Sequence, residues 1–155
     1  MSEFQLEFLA ADRAFYVGAC ESLVVPLSDG ALGILAGHAN LMAAIVPGEV
    51  HMKIRDYEDY LPPKEVMDPK QIRNRTEGTV DVVVSNGLIK VENGNVTILV
   101  DSAELPHEID EKRAKLAADR AKEEMLQNRG IIEYRSAEGA LSRALARLNS
   151  RHRHF

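Results

Sequence analysis

The sequence predicts a β + α chain: an N-terminal antiparallel β-sandwich over residues 1–105, then a C-terminal antiparallel two-helix hairpin over residues 106–155. Two observations predict it. Up to about Ser102, apolar residues alternate with polar ones in short runs separated by turn residues. From Ile109 onward they recur at helical spacing. The 155 residues are 45% apolar, which suits one core with an appendage, and 5% aromatic with no tryptophan, so that core is mostly aliphatic.

The strands follow in order. "FQLEFLAA" puts Phe4, Leu6 and Phe8 on one side and Gln5 and Glu7 on the other. "AFYVGACESLVVPL" is β-branched and aromatic at its apolar positions. "GEVHMKIR" sets Val50, Met52 and Ile54 against His51, Lys53 and Arg55. "TVDVVVSNGLIKVENGNVTILVDS" reads as three short strands with Asn86-Gly87 and Asn93-Gly94 as hairpin turns, because both residue types accept positive φ. Many short strands at regular spacing predict a sandwich or barrel. Between them, Asp56 to Gly78 carries three prolines, dense mixed charge and weak periodicity, and is expected to be an elongated loop with one helical turn.

The helices come next. "EIDEKRAKLAADRAKEEMLQ" contains no glycine or proline, and Asp110 is placed to cap its start with Glu111 in the first turn. Glu111 and Lys115 form a favourable i,i+4 pair. Ala114, Ala118, Ala121 and Met125 make a small-residue stripe, and Asn128-Arg129-Gly130 is the expected stop. A second helix is expected from Ser136 as N-cap, with Ala137, Ala140, Leu141, Ala144, Leu145 and Leu148 on one face and "NRGIIEYRS" as the connection. Two alanine-lined helices have little core of their own, so the hairpin depends on docking elsewhere and more than one docked position is open to it.

Charge and cysteine usage narrow the function classes. A net charge of -5 and a pI near 5.6 argue against a general nucleic-acid binder. No acidic residue follows Glu138, whereas Arg143, Arg147, Arg151 and Arg153 do. That basic end reads either as a surface for an acidic partner or as arginines placed at the negative pole of a helix dipole. Cys20 is the one cysteine, which excludes an intrachain disulfide and a thiolate metal cluster and fits a reducing compartment. The first residues lack the pattern of a secretory leader, and no run approaches the ~20 apolar residues of a spanning helix, so no direct membrane insertion is expected.

The stretch "LGILAGHANLMAAIVPGEV" looks most like a site. It fails as a phosphate loop, because His38-Ala39 follows Gly37 where Lys-Ser/Thr is required, and Gly30, Gly33 and Gly37 miss the dinucleotide-binding spacing. His38 is the acid–base candidate, yet only Asp29 and Glu49 lie at the margins to orient it, so it reads as a hydrogen-bonded turn residue ahead of a catalyst. The five histidines do not group into metal-ligand spacing, and no metal site is expected. The other candidate is "ELPHEIDEKRAK", where Asp110 and Arg113 share the first helical turn. A helix start and an arginine suit an anion, and Arg143 and Arg147 on the second helix would complete the site if the hairpin folds back; a capped helix with surface arginines explains the same residues.

"DGALGILAGHANLMAAIVPGEV", "VSNGLIKVENGNVTILVDSAE", "IDEKRAKLAADRAKEE" and "ALSRALARLNS" together cover nearly the whole chain and resemble the epsilon subunit of the bacterial F-type rotary ATP synthase. The resemblance implies the same sandwich and hairpin. It also implies a non-catalytic central-rotor subunit, peripheral on the cytoplasmic face of the plasma membrane, that couples proton flow to rotation and ATP synthesis. The implied partners are the gamma subunit, the polar loops of the membrane c-ring through the region of Ala31, Gly37 and His38, and the catalytic alpha/beta head. The hairpin would extend into that head and inhibit ATP hydrolysis, with Arg143, Arg147 and Arg151 against acidic segments. In some members the folded-down hairpin binds ATP through an I/L-D-x-x-R-A motif, an upstream glutamate and two arginines. Ile109, Asp110, Arg113 and Ala114 match the motif, and Glu104, Arg143 and Arg147 match the rest. No cofactor is required; ATP would be a regulatory ligand. Ala36 and Asn40 stand where the family usually has prolines around Gly-His, and the Asp56–Gly78 region is longer than usual. Two rival readings are a stand-alone ATP-sensing module and an enzyme using His38.

Overall fold

A computed structural model describes residues 2–62, 78–126 and 131–154. Ten strands form two five-stranded sheets. They are β1 (Phe4–Ala10), β2 (Ala14–Cys20), β3 (Ser22–Leu27), β4 (Gly30–Leu35), β5 (Leu41–Ile45), β6 (Gly48–Lys53), β7 (Thr79–Val84), β8 (Gly87–Glu92), β9 (Asn95–Val100) and β10 (Ala103–Glu104). The first sheet runs β2-β1-β9-β8-β5 and the second β10-β7-β6-β3-β4. Pairing is antiparallel except between β1 and β9, which run parallel.

The alternation seen in the sequence sets the core. Phe4, Leu6 and Phe8 are buried while Gln5 and Glu7 are exposed, and Val50, Met52 and Ile54 fill the facing layer. Leu23, Val25, Ile34, Ile89 and Ile98 complete an aliphatic interior. Four aromatics, Phe8, Phe15, Tyr16 and Tyr60, gather at one place, where Phe15 lies 5.1 Å from Phe8 and 5.6 Å from Tyr60, ring centre to ring centre. Tyr60 belongs to a 3-10 turn, Tyr57–Tyr60, at the start of the long loop; residues 63–77 of that loop, and with them the rest of the expectation for it, lie outside the described residues. Cys20 is buried between β2 and β3, and burial pushes its thiol up to about 11, so it acts as a packing group.

The two Asn-Gly pairs do different jobs. Asn93 and Gly94 both have positive φ, 51° and 79°, and join β8 to β9 as a tight hairpin with Glu92 opposite Asn95. Asn86-Gly87 is not a hairpin turn, contrary to the sequence expectation. β7 and β8 lie in different sheets, so the chain crosses the sandwich there. A second crossing, from β9 to β10, runs beside it. Ser85 joins the two: its N–H donates to the Ser102 carbonyl at 3.2 Å, and its Oγ accepts the Ser102 N–H at 2.9 Å. Gly87 is needed for close approach, since a Cβ there would lie 2.1 Å from the Leu99 carbonyl oxygen and 2.8 Å from Val100 Cα.

The helices are α1 (Glu111–Leu126) and α2 (Ile131–His154). Asp110 caps α1, its Oδ1 accepting the Arg113 N–H at 3.2 Å. α2 begins at Ile131, five residues before the Ser136 cap expected from the sequence, because no breaker separates Ile131 from Ser136 and the helix propagates through it. Ile131 to Ser136 of "NRGIIEYRS" are therefore helical and not connection, and the expected stop at Asn128-Arg129-Gly130 lies outside the described residues. Glu111 meets His152 Nε2 at 2.6 Å in place of the expected Lys115, which brings the start of α1 to the end of α2 and makes the pair antiparallel. Ala114, Ala118 and Ala121 are buried against α2, whose Ala137 and Ala144 are buried in turn.

The hairpin docks on the outer face of the second sheet. Val83 points away from the sandwich core, yet is buried by Ile109 and Ala114, with Leu148 packed beside them. We expect Gly87→Ala to destabilise the sandwich by about 1–3 kcal/mol or more, through overpacking. Gly94→Ala, with open space around it but positive φ, should cost only about 1–2 kcal/mol. Urea unfolding of the two variants checks the order.

Candidate functional site

Among the described residues, no helix packs on the outer face of the first sheet. Strand register lines up Ala14, Leu9, Leu99, Leu88 and Ala44 in one row across all five strands. Leu99 and Leu88 are 50% and 47% exposed. The next row carries Val17, Glu7, Thr97, Lys90 and Met42, with Val17 and Met42 also exposed. A β-sheet face that shows leucines where alternation calls for polar residues is a surface made for covering.

A groove of about 670 Å³ opens between the sandwich and the helices. Its charged lining includes Asp12, Arg13, Glu104, Glu108, Arg143 and Arg147. Arg147 is engaged: its Nη2 donates to Glu104 Oε2 at 3.1 Å and its Nε lies 2.5 Å from Oε1. Arg13 donates to the Ala103 carbonyl at 3.0 Å and sits 3.6 Å from Glu108 Oε2, which also accepts the Leu105 N–H. Among the described residues Arg143 has no ion-pair partner.

The stretch around His38 forms a tip. The His38 N–H donates to the Leu35 carbonyl at 3.2 Å, closing a turn in which Gly37 has φ 80°. The imidazole Nδ1 lies 2.8 Å from the Ala39 carbonyl. Asn40 Oδ1 accepts the Asn93 N–H at 2.9 Å, so a side-chain tie to the β8–β9 turn holds the loop where proline would have stiffened it.

Two family models match this chain. Residues 3–61 match the ATP synthase delta/epsilon chain beta-sandwich domain, and residues 107–150 match the long alpha-helix domain of the same chain. Over 153 residues the chain is 34% identical to the ATP synthase epsilon chain of Ruminiclostridium cellulolyticum, covering 99% of this chain and 98% of that one. The chain belongs to the ATP synthase epsilon-chain family. Two solved structures share the fold. One is from the Euglena gracilis mitochondrial ATP synthase, with TM-score 0.67 and 18% identity, covering 94% of this chain and 79% of that one. The other is from the Tetrahymena thermophila mitochondrial ATP synthase, with TM-score 0.58 and 13% identity, covering 97% of each. As an epsilon-family chain it is a subunit of a membrane-associated complex, and none of its described helices is long and apolar enough to cross a membrane.

The residues matching the family's nucleotide motif are partly gathered. Glu104, Arg143 and Arg147 line the groove. Asp110 and Arg113 are exposed and outside its lining, Asp110 serving as the α1 cap. Arg113 stands one turn before Ala117, which does line the groove, so both lie on one helix face. Ala31, Gly37 and His38 do not form one loop. Ala31 sits near the start of β4 and Gly37-His38 follow its end, with about 13 Å of strand from Ala31 to Leu35 between them at ~3.3 Å per residue.

Sequence reading missed the row of Leu9, Leu88 and Leu99. Its one signal was leucine at positions of β8 and β9 that alternate out of phase with the buried ones. It also missed what covers β6 and β7. Glu49, His51 and Asp81 face outward from the sheet and meet the last turn of α2, where Arg153 Nη1 donates to Glu49 Oε2 at 2.8 Å. Burial works to raise the Glu49 pKa, but the adjacent His154 and Ser150 side chains and the positive charges of His154 and Arg153 hold it down at about 2. The hydrogen bond to Asp81 raises His51 above the ordinary histidine value. Removing one partner of the half-buried Glu104–Arg147 pair by Glu104→Gln should weaken hairpin docking by about 1–3 kcal/mol. Hydrogen exchange in α2 should quicken while the strands keep their protection.

Proposed function

We propose that this chain is the central-stalk rotor subunit of an F-type ATP synthase, peripheral on the cytoplasmic face of a bacterial plasma membrane. It couples ion translocation through the c-ring to rotation and ATP synthesis. The observation that carries the reading is the row of half-buried Leu9 and exposed Leu99 and Leu88 on the outer face of the first sheet. That row, with Val17 and Met42 exposed beside it, fits a permanent partner, and the gamma subunit is the one the family supplies. Ring contact is assigned to the β4 edge, which carries Ala31 near one end, Gly37-His38 beyond the other, and Leu35 64% exposed. The Tetrahymena relative comes from a structure described as central stalk and c-ring, in keeping with this reading.

The hairpin is the regulatory part. Its dock combines one small apolar cluster with several ion pairs, and Leu116 and Leu126 remain exposed on α1, so it has apolar surface to offer elsewhere. In the extended state Arg143, Arg147 and Arg151 face acidic segments of the catalytic head and inhibit hydrolysis. In the docked state the groove takes ATP as a regulatory ligand. Arg143 is the free cation for the phosphates, Arg147 joins it by exchanging Glu104 for phosphate, and Asp110 and Arg113 close the rim.

A chain ending at Leu105 keeps β10 on β7 and should fold. Both it and the full chain should co-purify with gamma, whereas Leu99→Asp should not. The assembled ATPase should hydrolyse ATP faster with the shortened chain. Failure of the shortened, folded chain to bind gamma would sink the division of labour. Calorimetric titration of the isolated full chain with ATP should give one site, weakened about tenfold or more by Arg143→Ala. A chain that binds ATP but never gamma is instead a stand-alone ATP-sensing module.

A further inference from the structure

Where α2 ends on the second sheet, three side chains from distant parts of the sequence turn one atom each toward a common point. Glu49 comes from β6, Asp81 from β7 and His154 from the last turn of α2. His154 Nε2 lies 3.3 Å from Glu49 Oε1 and 3.4 Å from Asp81 Oδ2. All three atoms fall within 4.8 Å of one another. The Glu49 side chain is only 7% exposed, and Glu49 Oε1 and His154 Nε2 are buried without a hydrogen-bond partner of adequate geometry.

The surroundings explain why those atoms are free. Each carboxylate has its other oxygen engaged from outside. Arg153 Nη1 donates to Glu49 Oε2 at 2.8 Å, and His51 Nδ1 meets Asp81 Oδ1 at 2.5 Å. His51 and Asp81 are direct partners in the β6–β7 ladder, so their contact is built into strand register. Such outer hydrogen bonds fix the direction of ligating carboxylates in metal sites.

The spacing is longer than the best charge-assisted hydrogen bond and suits a metal. A charge-assisted N–H···O bond draws its atoms to about 2.7–2.9 Å. Ligands at about 2.0–2.2 Å from a tetrahedral zinc ion lie roughly 3.3–3.5 Å apart, as His154 Nε2 does from both oxygens. One imidazole and two carboxylates form a nitrogen–oxygen donor set that zinc and its first-row neighbours accept, with a fourth position left for water. We propose that Glu49, Asp81 and His154 bind a divalent first-row cation of the zinc class, which clamps the end of α2 to β6 and β7. His154 reaches the site only when the hairpin is docked, so the ion binds and stabilises that state alone. That such a clamp opposes the extended, inhibitory state rests on the function proposed above; the binding itself does not.

The test uses the untagged full chain, stripped of metal with a chelator. Cobalt(II) is the first probe and zinc competes with it. Wild type should take up one equivalent, develop the visible absorption of tetrahedral cobalt, and lose it to zinc. At zinc one hundred times above its Kd, hydrogen exchange at the end of α2 should slow by about 100-fold. His154→Ala and Asp81→Asn should each lower affinity at least about tenfold. His152→Ala, two residues away and paired with Glu111, should leave it unchanged. His154 lies in the last turn of α2 and outside both apolar clusters, so its variant is expected to stay folded, and circular dichroism of both variants checks this. No uptake by wild type overturns the proposal and leaves His154 as a protonated ion-pair partner. Uptake that survives His154→Ala but not His152→Ala overturns it in favour of surface chelation. Neither result bears on gamma binding, which tests the rotor reading separately.

Discussion

The helical hairpin hangs on one small apolar contact, Val83 beneath Ile109, Ala114 and Leu148. Alanine stripes let α1 and α2 approach closely, but they bury little area per residue, so the pair has no core that would hold it alone. Docking then falls to polar contacts around the apolar centre: Arg147 with Glu104, Arg153 with Glu49, and His154 between Glu49 and Asp81. Contacts of this kind fix register firmly and add modest net stability, because each charge gives up hydration to make them. A dock assembled this way is specific in its register.

The sandwich is arranged so that its two outer faces differ. The crossings at Ser85-Asn86 and Asp101-Ser102 send β7 and β10 to one sheet and β8 and β9 to the other. Gly87 allows the backbones to come that close. One sheet then turns Val83, Glu49 and Asp81 toward the hairpin, while the other turns Leu88 and Leu99 toward solvent. The two outer faces of one small domain thus differ, one covered by the hairpin and one showing leucines.

Sequence and structure agree most where a rule is local. Period-two alternation in β1 and β6 placed Phe8 and Met52 in the core, and the Asp110 cap and the Asn93-Gly94 hairpin follow from chemistry within four residues. Asn86-Gly87 shows the limit of a local rule. The same dipeptide crosses between sheets when the following strand finds its partner in β9. Ser136 shows another, since a good cap is ignored when the preceding residues continue the helix. Of the nucleotide-motif residues, Glu104, Arg143 and Arg147 meet only because the hairpin folds back over β10, and Asp110 and Arg113 stay outside the lining of the groove.

By itself the sequence determined the fold class, the family and the aliphatic nature of the core, because periodicity and turn chemistry act over a few residues and the family's motifs are contiguous. Tertiary structure alone decided which surfaces meet. Leu9, Leu88 and Leu99 become a row only through the parallel pairing of β1 with β9, across ninety residues of sequence. Glu49, Asp81 and His154 become a cluster only when α2 lies on the outer face of β6 and β7. No local period encodes such convergence, since it depends on strand order and on where a weakly held hairpin comes to rest.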